Sequence, residues 1–247
     1  SVEWLTHAAL DEAGVAPDLA GHPDYVPARF TIPGKTRFDA DFFKLSAKLA
    51  EFADPQSRQL LMHAWKAVED AGYVPGHIDA TGVFVSTGNS GYQTLLDNAP
   101  DIEQQDRYLA YVMSQGGSTA ALISYQLGLT GPSMQIGTNC SSSLVAIDAA
   151  FKSLRAGECR QAIVGASTLF PHANAGFLYQ PGLNFSSTGH CRTFDAEADG
   201  MMAGEGVAVI VLKNARQAVE DGDAIYAILR SVAVNNDGRQ KSGFYAP

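Results

Sequence analysis

One cysteine, Cys140, stands where the sequence changes period, within Gln135-Ile136-Gly137-Thr138-Asn139-Cys140-Ser141-Ser142-Ser143-Leu144-Val145-Ala146. The short apolar run after Pro132 predicts a buried strand that stops at Gly137, and from Ser141 the spacing turns helical. The first N–H groups of a helix find no acceptor one turn back. With the helix dipole, they favour a thiolate over a thiol and stabilise a developing oxyanion. A cysteine at such a junction is placed to act as a nucleophile. The same residue type also suits a tight packing point as a small buried group, and the rest of the chain must decide between these readings.

Other chemistry is thinly represented. Cys159 and Cys191 form no close metal-ligand spacing with Cys140, and no His/Cys/Asp cluster suggests a metal. Of the 6 histidines, His63 falls on a helix with structural signals, and His172 and His190 fall in a long loop. His7, His22 and His77 lie in peripheral segments, and none of the six is expected to serve as general acid or base. Glu205, between two glycines, reads as a hydrogen-bond acceptor rather than a catalytic acid, and Asp237-Gly238 as a turn. No glycine-rich stretch has phosphate-loop spacing. A cysteine hydrolase would need a His/Asn partner and a water-accessible site, and is disfavoured.

The 247 residues, 46% hydrophobic and 17% charged, suffice for one large or two small domains. A net charge of -9 argues against nucleic acid as the main partner. No apolar run is long enough to span a bilayer, and Ser1-Val2-Glu3-Trp4 lacks the basic start of a signal peptide. An odd cysteine count suits a reducing compartment, so a soluble cytoplasmic protein is expected. The missing initiator Met and the helix-like opening suggest a piece of a longer chain.

Several elements position Cys140. Residues Val2 to Ala13 are expected to form an amphipathic helix ending near Gly14, before a Pro/Gly-rich loop from Pro17 to Gly34. Phe38 to Phe43 form an aromatic anchor. Asp54 caps a helix begun by Pro55 and stopped by Gly72. Gly82–Ser86 reads as a strand, and Gln104 to Leu127 as a helical region broken at Gly116-Gly117. After Cys140 come a helix to Ala156, a strand Ala162–Ala166, and a long loop from about Leu169 to Gly206 with a short helix near Ala173 to Tyr179. A strand Val207–Leu212, a helix Ala215–Asp221 and a strand Ile225–Val234 close the chain. Alternating strands and helices predict an α/β fold with a largely parallel sheet. The helix after Cys140 is apolar on most sides and rich in small residues, which predicts burial between two sheets.

Taken together, Phe38–Phe43, Asp54-Pro55-Gln56, Trp65–Tyr73, Gly131-Pro132-Ser133, Cys140–Ala146, Cys191–Ala196, Gly204-Glu205-Gly206, Val211-Leu212-Lys213 and Asn236-Asp237-Gly238 resemble the N-terminal half of a β-ketoacyl synthase (ketosynthase) domain of modular polyketide or hybrid peptide–polyketide synthases. The motifs follow the family's order from end to end. The stretch from Pro23 to Phe43 looks most like ketosynthases of mixed peptide–polyketide lines.

The resemblance implies a thiolase-like layered αβαβα fold with Cys140 as catalytic nucleophile at the N-terminus of a buried helix. It also implies a homodimer that takes an acyl group from the phosphopantetheine arm of an acyl carrier protein and condenses it with a decarboxylating malonyl-type extender, alongside neighbouring synthase domains. No directly bound cofactor or metal is implied. Two histidines, a lysine and the loop giving the second oxyanion donor belong to family motifs that would follow Pro247, and the family's first core strand would precede Ser1. Residues 1–247 therefore read as a partial ketosynthase domain, inactive in condensation alone. Asn139 stands where Ala is common, and Gly137 where Asp is common, which bears on substrate preference. Met113 matches a region lining the acyl pocket across the dimer interface, with gap-filling in a core as the other reading. Phe185 is a second pocket-wall candidate. A non-condensing module that holds or passes an acyl group, or serves as a dimer scaffold, fits the same residues.

Overall fold

The computed structural model describes residues 2–78, 80–170 and 175–240. The chain opens with β1 (Val2–Trp4), α1 (His7–Glu12), α2 (Pro17–Ala20), β2 (Tyr25–Val26) and β3 (Ala28–Phe30). It continues through α3 (Ala47–Phe52), α4 (Pro55–Asp70), β4 (Thr81–Thr87), α5 (Tyr92–Asp97), α6 (Arg107–Ser114), α7 (Thr119–Leu127) and β5 (Ser133–Gln135). Then come α8 (Ser142–Ala156), β6 (Gln161–Thr168), β7 (Phe177–Leu178), β8 (Gly206–Lys213) and α9 (Ala215–Glu220). Among the described residues no helix is long and apolar enough to cross a membrane. The described residues fall into two units. One comprises Ser1–Leu60, Thr87–Gly116 and Ser167–Ala208, and the other Leu61–Ser86, Gly117–Ala166 and Val209–Pro247.

In the first unit, the expected helix over Val2–Ala13 is corrected: Val2–Trp4 pair antiparallel with β3, Val2 opposite Phe30. Only His7–Glu12 is helical, started by Thr6, whose hydroxyl accepts from the Ala9 N–H. A strand partner more than 20 residues away overrode the local helical pattern. The short helix expected near Ala173 to Tyr179 is likewise corrected, since Phe177–Leu178 is a strand on β2; Ala173 and Asn174 lie outside the described residues. Asp54 caps α4 as expected, accepting the Gln56 N–H at 2.8 Å. Phe38 stacks on Phe43 at 5.3 Å, and Phe42 meets Phe43 edge-on. A small core of Phe52, Leu96 and Ala110 takes Tyr92, Ile102, Leu109 and Met113 around it.

The second unit is built on a four-stranded sheet in the order β5-β4-β6-β8. Strands β4 and β6 are buried almost throughout, as central strands must be. The strand before Cys140 is not buried, contrary to expectation. It lies at the sheet edge, Met134 is 45% exposed, and it pairs in parallel with β4, Phe84 opposite Met134. Gly131 admits β5 to that position. A Cβ there would lie 2.6 Å from the backbone of Thr81 and Gly82, so only glycine fits.

Helix α8 packs one face, through Ala146 and Ala150, on a core of Phe84, Ala162, Val164 and Cys159. Alanines at the contact let helix and sheet approach closely. The expected sheet on both flanks is found on one flank among the described residues. Along the rest of α8, Ile147, Phe151 and Leu154 line an open cavity of about 580 Å³ with Ile210, Leu212 and Ile228. The strand expected over Ile225–Val234 is also corrected: it pairs with no strand among the described residues, and Ile228 is 66% exposed. Its start is pinned instead by polar groups. Lys213 Nζ donates to the Tyr73 hydroxyl at 2.6 Å, to Asp223 at 2.7 Å and to Asp221. Burial works against the Lys213 charge, but the two carboxylates outweigh it and hold its pKa above the ordinary lysine value.

Candidate active site

Cys140 is reached by a sharp change of direction. Strand β5 is prolonged by the Ile136 N–H, which donates to the Val85 carbonyl at 2.8 Å. Thr138 is then extended in φ (-137°), Asn139 is left-handed (φ 56°), and Asn139–Ser141 form one 3₁₀ turn that runs into α8. Asparagine is among the few residues that accept a left-handed backbone at low cost. Cys140 thus sits in the first turn of a helical segment, and its side chain is exposed. The reading of Cys140 as a buried packing residue therefore fails, while Cys159, buried in the core beside the Ser153 hydroxyl, fits that description. Cys191 is exposed, 3.7 Å from the Thr193 hydroxyl.

Hydroxyl groups hold the turn. The Ser142 Oγ accepts the Thr138 N–H at 2.8 Å and donates to the Asn139 carbonyl at 2.7 Å. The Ser141 Oγ donates to the Thr138 carbonyl at 2.9 Å and lies 3.0 Å from the Thr138 Oγ1. Ser142 is buried, while Cys140 faces out. Among the described residues, no side chain hydrogen-bonds the Cys140 thiol.

Sequence reasoning missed this clamp. A signal was present in Thr138-x-x-Ser141-Ser142, whose hydroxyls recur at the three- and four-residue spacing of local side-chain-to-backbone bonds.

Of the other residues singled out, Asn139 shares the turn with Cys140. Met113 belongs to the first unit, where it packs, partly buried, beside Phe52, Leu96 and Ala110. Phe185, also in the first unit, packs its ring on Phe177 at 5.0 Å and bridges to Met201. These two sit in separate packing groups. His190 lies against the Trp4 ring at 5.7 Å, and His22 accepts the Asp24 N–H. His63 is half-buried on α4, His7 and His77 are exposed, and His172 lies outside the described residues.

Glu205 is the acceptor its sequence context suggested. Its side chain is fully enclosed and takes Lys35 at 2.5 Å, the Thr31 hydroxyl at 2.7 Å, and the N–H groups of Ile32 and Phe170. No group of three or more His, Cys, Asp or Glu among the described residues is arranged to hold a metal ion.

A family model, "Beta-ketoacyl synthase, N-terminal domain", matches residues 7–218. The chain is 51% identical over 249 residues to the polyketide synthase PksN of Bacillus subtilis, covering 100% of this chain and 4% of that protein. It is 40% identical over 257 residues to one of the phenolphthiocerol/phthiocerol polyketide synthase proteins of Mycobacterium tuberculosis, covering 100% of this chain and 17% of that protein. Among solved structures, ketosynthase twelve of the bacillaene polyketide synthase of Bacillus amyloliquefaciens superposes with a TM-score of 0.93 at 52% identity. The ketosynthase from module 1 of the bacillaene synthase of that species gives 0.87 at 44% identity. The chain is covered completely in both cases and spans 44% and 43% of those chains.

Proposed function

Because this chain belongs to the β-ketoacyl synthase family, with a thiolase-like α/β fold, we propose that it is the acyl-accepting part of a ketosynthase in a modular polyketide synthase, with Cys140 as the nucleophile. The observation that carries this reading is an exposed cysteine in the first turn of a helical segment, held there by its neighbours' hydroxyls. The substrate is an acyl thioester on the phosphopantetheine arm of an acyl carrier protein. The Cys140 sulfur attacks the thioester carbonyl carbon, and the carbonyl π pair moves to oxygen. The Cys140 N–H faces that oxyanion. Collapse re-forms the carbonyl and expels the carrier's thiolate, leaving a thioester on Cys140. A malonyl-type extender then loses CO₂, and its carbanion attacks the Cys140 thioester, giving a β-ketoacyl product and freeing the sulfur.

Residues 1–247, read as part of a ketosynthase domain, accept the acyl group without condensing it when alone. The working form is a homodimer among neighbouring synthase domains in the cytoplasm. The place of β5 as the last strand of its sheet among the described residues supports the dimer. Asn139, Met113 and Phe185 are the proposed contacts of the acyl chain.

The test is labelling with an acyl thioester mimic or iodoacetamide, mapped by mass after circular dichroism has shown a folded sample. Label on Cys140 that disappears in Cys140→Ala is the expected result. Label on Cys159 or Cys191 with none on Cys140 would sink the assignment.

A further inference from the structure

The three hydroxyls around Cys140 are not equivalent. Among the described residues, the Ser141 hydroxyl binds only Thr138, on the strand side of the turn. Ser142 closes a ring across the turn. Its Oγ takes the Thr138 N–H and gives its proton to the Asn139 carbonyl, and that carbonyl also accepts the Ser142 N–H. One side chain, itself buried, therefore ties the peptide before Thr138 to the peptide after Asn139. The Asn139–Cys140 peptide cannot rotate without breaking one of these bonds. That peptide carries the Cys140 N–H. Without the hydroxyl, only the Ser142 N–H would restrain the left-handed Asn139 against the commoner right-handed or extended basins, and the Cys140 N–H would turn with any relaxation.

We infer that Ser142 is a positioning residue for the acyl-transfer step: its doubly bonded hydroxyl fixes the peptide before Cys140, so that the Cys140 N–H is held ready for the oxyanion. This rests on the reading of Cys140 as acyl acceptor. The role is indirect, since Ser142 touches the turn and not the substrate.

Two reactions of the same sulfur separate alignment of the N–H from access to the sulfur. Acyl transfer passes through an oxyanion and needs the aligned N–H. Alkylation by iodoacetamide displaces iodide at carbon, forms no oxyanion, and needs only the exposed sulfur. In the full polypeptide that carries this chain, Ser142→Ala should slow acylation of Cys140 by an acyl thioester about tenfold, as expected for losing two ordinary hydrogen bonds from the aligned state. It should leave alkylation of Cys140 within about twofold, with the thioester KM little changed. Urea unfolding must show both proteins equally folded under the assay conditions, because an unfolded chain would still be alkylated while losing acylation. Ser142→Thr, which keeps the hydroxyl, should restore the wild-type ratio.

Equal losses in both rates, no loss in either, or a Ser142→Thr variant that keeps the altered ratio would each overturn the inference. Failure of the underlying reading has a different signature, namely wild-type acylation in Cys140→Ala.

Discussion

Every partner of the Glu205 carboxylate is a donor, and its side chain is closed off from solvent. Burial alone would raise its pKa. Lys35, the Thr31 hydroxyl and two backbone N–H groups outweigh that and hold it below the ordinary glutamate value. A lowered carboxyl pKa means stability that is complete above the ordinary carboxylate range and is lost as the pH falls through the lower folded value. Glu205→Gln should therefore cost about 2–4 kcal/mol at neutral pH, since it leaves the Lys35 ammonium, 19% exposed, without its counter-charge. Urea unfolding should show the gap between the two proteins narrowing once the pH falls below about 4.5. That Glu205 would be an acceptor was legible from its two flanking glycines. That Lys35 would be its partner was not, because the two lie 170 residues apart and nothing local records the pairing.

The same division between local and distant causes runs through the elements. The Asp54-Pro55 start of α4, the Gly128 and Gly157 stops of α7 and α8, and the break at Gly116-Gly117 were all readable, because each depends on a few neighbouring residues. The burial of β5 was misread because an apolar run does not say whether a strand is central or at an edge; that depends on which strands pair beside it. The strand Val2–Trp4 was missed for the same reason, its partner being β3. Gly131 shows where local and distant requirements meet. The carbonyl of its neighbour Pro132 accepts the Val83 N–H at 2.7 Å, and its own N–H reaches the Thr81 carbonyl at 3.0 Å. Gly131→Ala should push the entry of β5 off β4 and destabilise the second unit by about 1–3 kcal/mol, the usual range for overpacking. A matching loss in urea unfolding, with Gly137→Ala as the control whose Cβ meets nothing within 4 Å, would check it.

For the molecule as a whole, the position of β5 at the end of its sheet and the net charge of -9 act in opposite directions. A strand with no neighbouring strand on one side, as β5 has among the described residues, favours pairing with another copy, and like charge opposes it. If the edge carries the proposed homodimer, Met134→Lys should convert a dimer to a monomer in size-exclusion chromatography with light scattering, leaving the circular dichroism spectrum intact. A variant that stays dimeric would place the interface elsewhere. The apolar cavity along Ile147, Phe151 and Leu154 carries a colloidal consequence for residues 1–247 in isolation. Their dispersion depends on charge repulsion that salt screens over roughly 8 Å at physiological ionic strength, while the attraction between greasy surfaces is untouched by that screening. Raising the ionic strength therefore removes the barrier and keeps the stickiness, so low-salt buffers should hold this chain in solution at concentrations where high-salt buffers cloud.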